Sequence, residues 1–265
     1  MNETNESSFD LTAYTPAPGL LQGKNILITG AGDGIGRALA LGCASYGATV
    51  ILLGRTVSKL EAIYDEIENC GYPQAAIYPL DLEKAPNEAF DQLGEVLQEN
   101  FQQLDGLIHN AAILGPHTPM LLTEPQIWQR VMQVNLTAPY LITRNCYPLL
   151  KAADSAALIF TSDAVARHGR AYWGPYAVTK AGLENLMQIL ADEWENTTTI
   201  RVNAIDPGPA RTLLRRLAFP GENPNSLATP EDCVLPYLYL LDSQPSVIRG
   251  QSLRWDSQSH SLAKL

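Results

Sequence analysis

The chain has little of what would mark a secreted, metal-binding, membrane-spanning or nucleic-acid-binding protein. Its four cysteines, Cys43, Cys70, Cys146 and Cys233, are scattered with no C-x-x-C pair. Neither a disulfide framework nor a zinc site is therefore expected. No apolar run approaches the ~20 residues of a membrane span. The opening residues, MNETNESSFD, are polar and acidic, unlike the cationic and then apolar course of a signal peptide. The formal net charge is −10, and no basic run is longer than the pair Arg215-Arg216, which argues against a polyanion such as nucleic acid as partner. Internal repeats and low-complexity linkers are also missing. These absences leave the expectation of a soluble, reduced, cytoplasmic protein with no metal, no membrane and no nucleic acid.

What is present is enough apolar material for one substantial core: 46% of 265 residues are hydrophobic. Residues 1–18 read as a polar tail, disordered or laid across the surface. From Lys24 onward short apolar runs alternate with helical ones. Strands are expected at 25–29, 49–53, 75–80, 107–109, 156–161, 201–205 and 252–255. Helices are expected at 35–46, 58–69, 87–101, 126–150, 172–195 and 231–241. Apolar strands separated by helices predict an α/β fold: a doubly wound parallel sheet of about seven strands, helices on both faces, in one domain over 19–265.

The stretch that organises this domain is Thr29 to Gly36, TGAGDGIG, between the apolar run Ile26-Leu27-Ile28 and a helical run. Strand, glycine turn and helix together set backbone N–H groups and a helix N-terminus against a phosphate. Gly30, Gly32, Asp33, Gly34, Ile35 and Gly36 are the candidate cradle, although a plain glycine turn has the same pattern. The spacing is T-G-x-x-x-G-x-G; the G-x-G-x-x-G register fails, since its last position falls on Ile35 or Arg37.

The second strand ends in Gly54-Arg55, where a dinucleotide site for NAD carries an acidic residue on the ribose 2′-hydroxyl. A guanidinium there suits a 2′-phosphate instead, which points to NADP(H); the bland reading is a solvated arginine opening a helix. Asp33 counts slightly against it, as a negative charge nearby. Asp81-Leu82 follows the third strand, where the carboxylate either accepts from an adenine amino group or caps the next segment. Pro139, four residues after Asn135, cannot donate to the Asn135 carbonyl, so the helix there is expected to be kinked with that carbonyl free for another donor.

Tyr176 and Lys180 stand at i and i+4, hence on one helix face. A neighbouring ammonium favours the phenolate, so Lys180 is expected to lower the pKa of Tyr176 and make it a usable acid or base for a carbonyl–alcohol couple.

These residues resemble the short-chain dehydrogenase/reductase family from about Gly23 to Trp255. The string FTSDAVARHGRAYWGPYAVTKAG, with LLGR before it and DPGPART after it, looks like the YciK-type bacterial members. The resemblance implies a Rossmann-type fold, NADP(H), and reversible hydride transfer with a small carbonyl or alcohol substrate. It implies that His109-Asn110-Ala111-Ala112 matches the family's N-N-A-G turn, with Asn110 and Ala111 against the cofactor and His109 an ordinary packed histidine. It implies that Asn135 holds a water of a proton relay. It also implies that Pro207, Gly208 and Thr212 contact the cofactor, with a substrate lid over about 208–228. A homodimer or homotetramer through the two long helices is implied as well. Leu183, Leu186, Leu190 and Trp194 recur at helical spacing on the second, more than one core face needs. The customary D-G-G ending is absent, and 252–255 is expected to be the last edge strand.

One position departs from the pattern. The family's serine, thirteen residues before the tyrosine, is here Asp163, with Ser162 beside it. An ionised carboxylate only accepts hydrogen bonds and would raise the pKa of a nearby phenol. Either the strand bulges and turns Ser162 inward, or Asp163 is held protonated in a dry site. The alternative to an enzyme is a cofactor-binding protein with weak or no turnover.

Overall fold

The computed structural model describes residues 8–243 and 248–265. Among them nine strands form one sheet: β1 (Ser8–Asp10), β2 (Asn25–Thr29), β3 (Thr49–Gly54), β4 (Ala76–Pro79), β5 (Gly106–His109), β6 (Ala157–Thr161), β7 (Arg201–Asp206), β8 (Gln251–Asp256) and β9 (Ser261–Lys264). Their spatial order is β1-β9-β8-β7-β6-β5-β2-β3-β4. All neighbours from β4 through β2 to β8 pair in parallel, while β9 runs antiparallel to both β8 and β1.

The unbroken apolar strands follow from burial on both faces. Adjacent side chains of a strand point to opposite faces, so Ile26 and Ile28 enter one core with Leu39, Val50, Leu52 and Tyr237. Leu27 enters the other with Ile51, Phe90, Leu107, Ile142 and Leu158. The helices that supply these layers are α1 (Gly34–Ser45), α2 (Val57–Asn69), α3 (Asn87–Asn100), α4 (Pro125–Met132), α5 (Ala138–Ala152), α6 (Gly174–Trp194), α7 (Leu213–Ala218) and α8 (Val234–Leu241). From β2 the chain winds outward through β3 to β4, then returns to β5 beside β2 and winds the other way. The order reverses between β2 and β5, and the crevice beyond their carboxyl ends is where such a sheet takes its ligand.

The sheet departs from the seven expected strands at one edge. Ser8–Asp10, inside the stretch read as a polar tail, pairs with 261–263; Leu11 behind it is 2% exposed. Strand 252–255 is correspondingly not the edge, because a turn capped by Asp256 returns the chain as β9. The helix expected over 126–150 is two helices joined by a π turn, Gln133–Thr137, which accommodates Pro139 without an open break. On α6, Leu183 is buried and Leu186, Leu190 and Trp194 pack against the second core, so the molecule's own packing accounts for that face. None of the helices among the described residues is long and apolar enough to cross a membrane.

Candidate active site

Beyond β2 the chain turns through Gly30 (φ 68°) and Gly34 (φ 51°), both in the left-handed region where a side chain is strained. Close approach sets the third glycine: a Cβ on Gly36 would lie 2.1 Å from the Gly30 carbonyl oxygen and 2.6 Å from Asn110 Nδ2. Gly36 therefore packs α1 against the β2 and β5 ends, while Gly30, Gly32, Asp33, Gly34 and Ile35 line a cavity of about 630 Å³. Asp33 caps α1, accepting from Gly34 N at 2.8 Å, and Lys59 Nζ donates to it at 2.5 Å. That ion pair, followed by the cap, holds the Asp33 carboxyl below its usual value. The negative charge in the turn is thus matched by a lysine one helical turn beyond Arg55.

Arg55 lies exposed at the cavity's edge and makes no ion pair among the described residues. Asp81 and Leu82 also line the cavity. One Asp81 oxygen accepts from Glu83 N at 3.1 Å, so the carboxylate caps its own turn with its other oxygen not engaged that way. Asn110 and Ala111 both donate their N–H to Thr29 Oγ1, at 3.0 and 3.1 Å, which ties the β5 end to the glycine turn. His109 is outside this cavity: it is 3% exposed, stacked 5.0 Å from the Phe160 ring, with Nε2 2.8 Å from Thr143 Oγ1. Glycines without Cβ atoms, a helix N-terminus, a free guanidinium and a long cleft are the donor set that fits a dinucleotide phosphate.

The opposite end of the cavity is built by β6 and α6. Tyr176 is 3% and Lys180 2% exposed. The Tyr176 hydroxyl donates to Asp163 Oδ2 at 3.2 Å, and Asp163 Oδ1 accepts from Val165 N at 3.1 Å. The carboxylate stands where the resemblance expects the serine. Ser162 does not turn inward: its hydroxyl donates to Glu184 Oε1 at 2.5 Å on the other side of the strand end. The Asp163 backbone is extended (φ −158°, ψ 154°), and although Ser162 also borders the cavity it is the Asp163 side chain that meets Tyr176.

Lys180 Nζ lies 5.5 Å from the Tyr176 ring centroid and donates to Thr161 O at 2.6 Å. Burial pulls its ammonium down to about 8, against the opposing pull of Asp163, Asp206 and Glu184. The phenol moves in the direction expected of a nearby carboxylate and against the one expected of Lys180. Burial first, then the charge and hydrogen bond of Asp163, push Tyr176 well above its ordinary value.

Asn135 sits on the π turn, fully buried behind the cavity. Its Oδ1 accepts from Ile113 N at 2.8 Å, and its Nδ2 donates to Ile113 O at 2.9 Å and Thr179 Oγ1 at 3.2 Å. The side chain therefore clamps the loop after β5 to α6 one residue from Lys180. Pro207, Gly208 and Thr212 line the cavity. Thr212 caps α7, and its Cγ2 is 3.2 Å from where a Cβ on Gly34 would be. The segment over 208–228 closes on itself by a bridge between Ala210 and Ala228 and a bidentate Arg215–Glu222 pair, both bonds 2.6 Å.

Two features escape a reading of the sequence. Leu114, Trp173, Leu214 and Phe219 form an apolar wall beside Tyr176, with Trp173 5.8 Å from the tyrosine ring and 5.6 Å from Phe219. Behind Ser162, Arg167 pairs with Glu184 and, at 3.2 Å, with Asp206, and Ser252 donates to Glu184 at 3.2 Å. The wall comes from three segments and the ion cluster from five, so no local pattern betrays either.

This geometry has close counterparts. The model of the short chain dehydrogenase family matches residues 24–223. The chain belongs to that family. The uncharacterized oxidoreductase YciK of Escherichia coli K12 is 46% identical over 245 residues, which cover 92% of this chain and 96% of that protein. A short chain dehydrogenase structure from Pseudomonas syringae is 45% identical with a TM-score of 0.89, covering 91% of this chain and 98% of that one. Another, from Escherichia coli CFT073 and solved in complex with NADPH, is 44% identical with a TM-score of 0.86, covering 90% and 99%. As a short chain dehydrogenase the chain is an oxidoreductase acting on small molecules. The family model ends at 223, so β8, β9 and the β1 edge lie outside its match.

Proposed function

We propose that this chain is an NADP(H)-dependent reductase of carbonyl compounds, with Tyr176 as the acid that protonates the carbonyl oxygen. The observation that carries the reading is the buried Tyr176–Lys180 pair at one end of a cleft whose other end holds the glycine turn and an unpaired Arg55. The neighbour solved with NADPH supports the same cofactor here. Gly30, Gly32, Gly34 and Ile35 would hold the pyrophosphate, Arg55 and Lys59 the 2′-phosphate, Asp81 and Leu82 the adenine. Asn110, Ala111, Pro207, Gly208 and Thr212 would hold the nicotinamide half. The bound cofactor supplies the hydride. Lys180 steadies the Tyr176 ring, and Asn135 ties the loop after β5 to the helix that carries both. Ser162 has no substrate role in this reading, since its hydroxyl is committed to Glu184.

A second reading, a cofactor-binding protein with weak or no turnover, is favoured by one observation: a carboxylate rather than a hydroxyl meets Tyr176. NADPH consumption over a panel of aldehydes, ketones and diones separates the two. Cofactor choice is tested independently. NADPH should bind ten- to a hundredfold more tightly than NADH, the size of a hydrogen bond to a charged group, and Arg55→Ala should remove most of that preference. Equal wild-type affinities in titrations of the two cofactors would contradict it.

The same reading makes the chain a homodimer or homotetramer through α5 and α6, which expose Tyr140, Val178 and Ile189 at 50%, 40% and 46%. Sedimentation should give two or four chains per particle and a charged substitution of Ile189 fewer; a monomeric wild type would end the idea.

A further inference from the structure

We propose that the preferred substrate carries a hydroxyl on the carbon next to its carbonyl: an α-hydroxy ketone or aldehyde with an apolar body, reduced to a vicinal diol. This rests on the reductase reading above. At the reacting end one donor and one acceptor face each other across the cavity wall. The donor is the Tyr176 hydroxyl and the acceptor is Asp163 Oδ2, 3.2 Å from it. Ser162 Oγ, Lys180 Nζ and Asp163 Oδ1 beside them each have a partner of their own, in Glu184, Thr161 O and Val165 N.

A plain ketone fits this pair badly. Its oxygen can take the tyrosine proton, but Asp163 is then stripped of its donor and left facing the oxygen on which negative charge develops. An α-hydroxy carbonyl reverses the pair. The carbonyl oxygen accepts from Tyr176 while the hydroxyl donates to Asp163. In the syn arrangement its two oxygens lie about a hydrogen-bond length apart, ~2.7 Å, which the 3.2 Å spacing of Tyr176 Oη and Asp163 Oδ2 can span. Every hydrogen bond broken on binding is remade. The rest of the molecule meets Leu114, Trp173, Leu214 and Phe219, which argues for an apolar or aromatic substituent.

The step balances as an ordinary reduction. The carbonyl carbon receives a hydride from NADPH, which leaves as NADP⁺. The C=O π pair moves to oxygen, which takes the Tyr176 proton, and the phenolate regains a proton from solvent. The substrate hydroxyl keeps its proton throughout and serves to hold Asp163 away from the developing charge.

The test compares 2-hydroxyacetophenone with 2-methoxyacetophenone, which has the same skeleton but no O–H to donate. 1-Phenyl-1,2-propanedione serves as a reactive carbonyl lacking the donor. Wild type should show a kcat/KM ten- to a hundredfold higher for the hydroxy than for the methoxy ketone. In Asp163→Ser the hydroxy/methoxy ratio should collapse to within about threefold, while dione reduction rises because a donor is restored beside the oxyanion. Asp163→Asn, closer in shape, should fall between the two, with NADPH affinity unchanged in both variants. A wild-type ratio near one, or a ratio that survives Asp163→Ser, overturns the inference. Dione turnover with a ratio near one overturns it alone, whereas no turnover of any carbonyl removes the reductase reading with it.

Discussion

Replacing Tyr176 by phenylalanine should cost about 10²–10⁴ in kcat, the span of a positioned general acid, and leave NADPH affinity nearly unchanged. Only the phenolic oxygen is lost, and Phe fills the same space against Trp173 and Lys180. The direction of catalysis carries a second signature. Burial and then Asp163 hold the Tyr176 proton in place, so reduction has its acid ready at neutral pH. Oxidation of an alcohol needs the phenolate and should be slow there, rising as pH increases. Both follow from steady-state rates measured in the two directions between pH 6 and 10. Substantial activity of the phenylalanine variant, or oxidation that outruns reduction at pH 7, would mean the chemistry lies elsewhere.

Acid should destabilise the protein through His109. Its ring is buried against Phe160 and burial pulls its pKa to about 3. Protonation would make both ring nitrogens donors, and Nδ1 has no partner among the described residues. The folded pKa is depressed below the unfolded value near 6.5, so the unfolded chain binds the proton first as pH falls. The stability contributed by the neutral ring is complete above about pH 6.5 and is lost between there and about 3. Over most of that window the slope is about 1.4 kcal/mol per pH unit. His109→Asn has no such titration. Urea unfolding of both proteins at pH 7, 5.5 and 4.5 should give curves whose difference narrows or reverses towards acid by this slope. Parallel losses would show that carboxylates alone set the acid limit.

The parts of this molecule that were legible in the sequence are those whose geometry is local. T-G-x-x-x-G-x-G needs only a strand, a turn and the first helical turn to place Gly30, Gly34 and Gly36. Tyr176 and Lys180 share a face because they are four apart on one helix. The parallel sheet was legible because strands buried on both faces are written as continuous apolar runs. What depended on distant segments was not. Whether Ser162 or Asp163 faces Tyr176 is settled by how the β6 end pairs with β7 and by Glu184 on α6, which takes the serine hydroxyl. The raised Tyr176 pKa was legible only as far as Asp163 being close by; that the carboxylate stands 3.2 Å away and the ring is buried is set by the packing of α6 on the β6 end. β1 and β9, of three and four residues, are too short to show a period, and each exists by pairing with the other. Leucines 186 and 190 looked surplus to one core because the second core, formed from α3, α5 and the far face of the sheet, is not visible in α6 alone.

The central claim is that a hydride passes from NADPH bound along the Gly30–Arg55 cleft to a carbonyl carbon held at Tyr176. It is tested most directly by supplying NADPH labelled with deuterium on each face of C4 in turn, together with 2-hydroxyacetophenone, and weighing the diol. One face, and only one, should deliver its deuterium to the new carbinol carbon, and Tyr176→Phe should bind the same NADPH while forming little labelled product. Tight NADPH binding with no label in any product would contradict the account and leave a protein that holds the cofactor without using it.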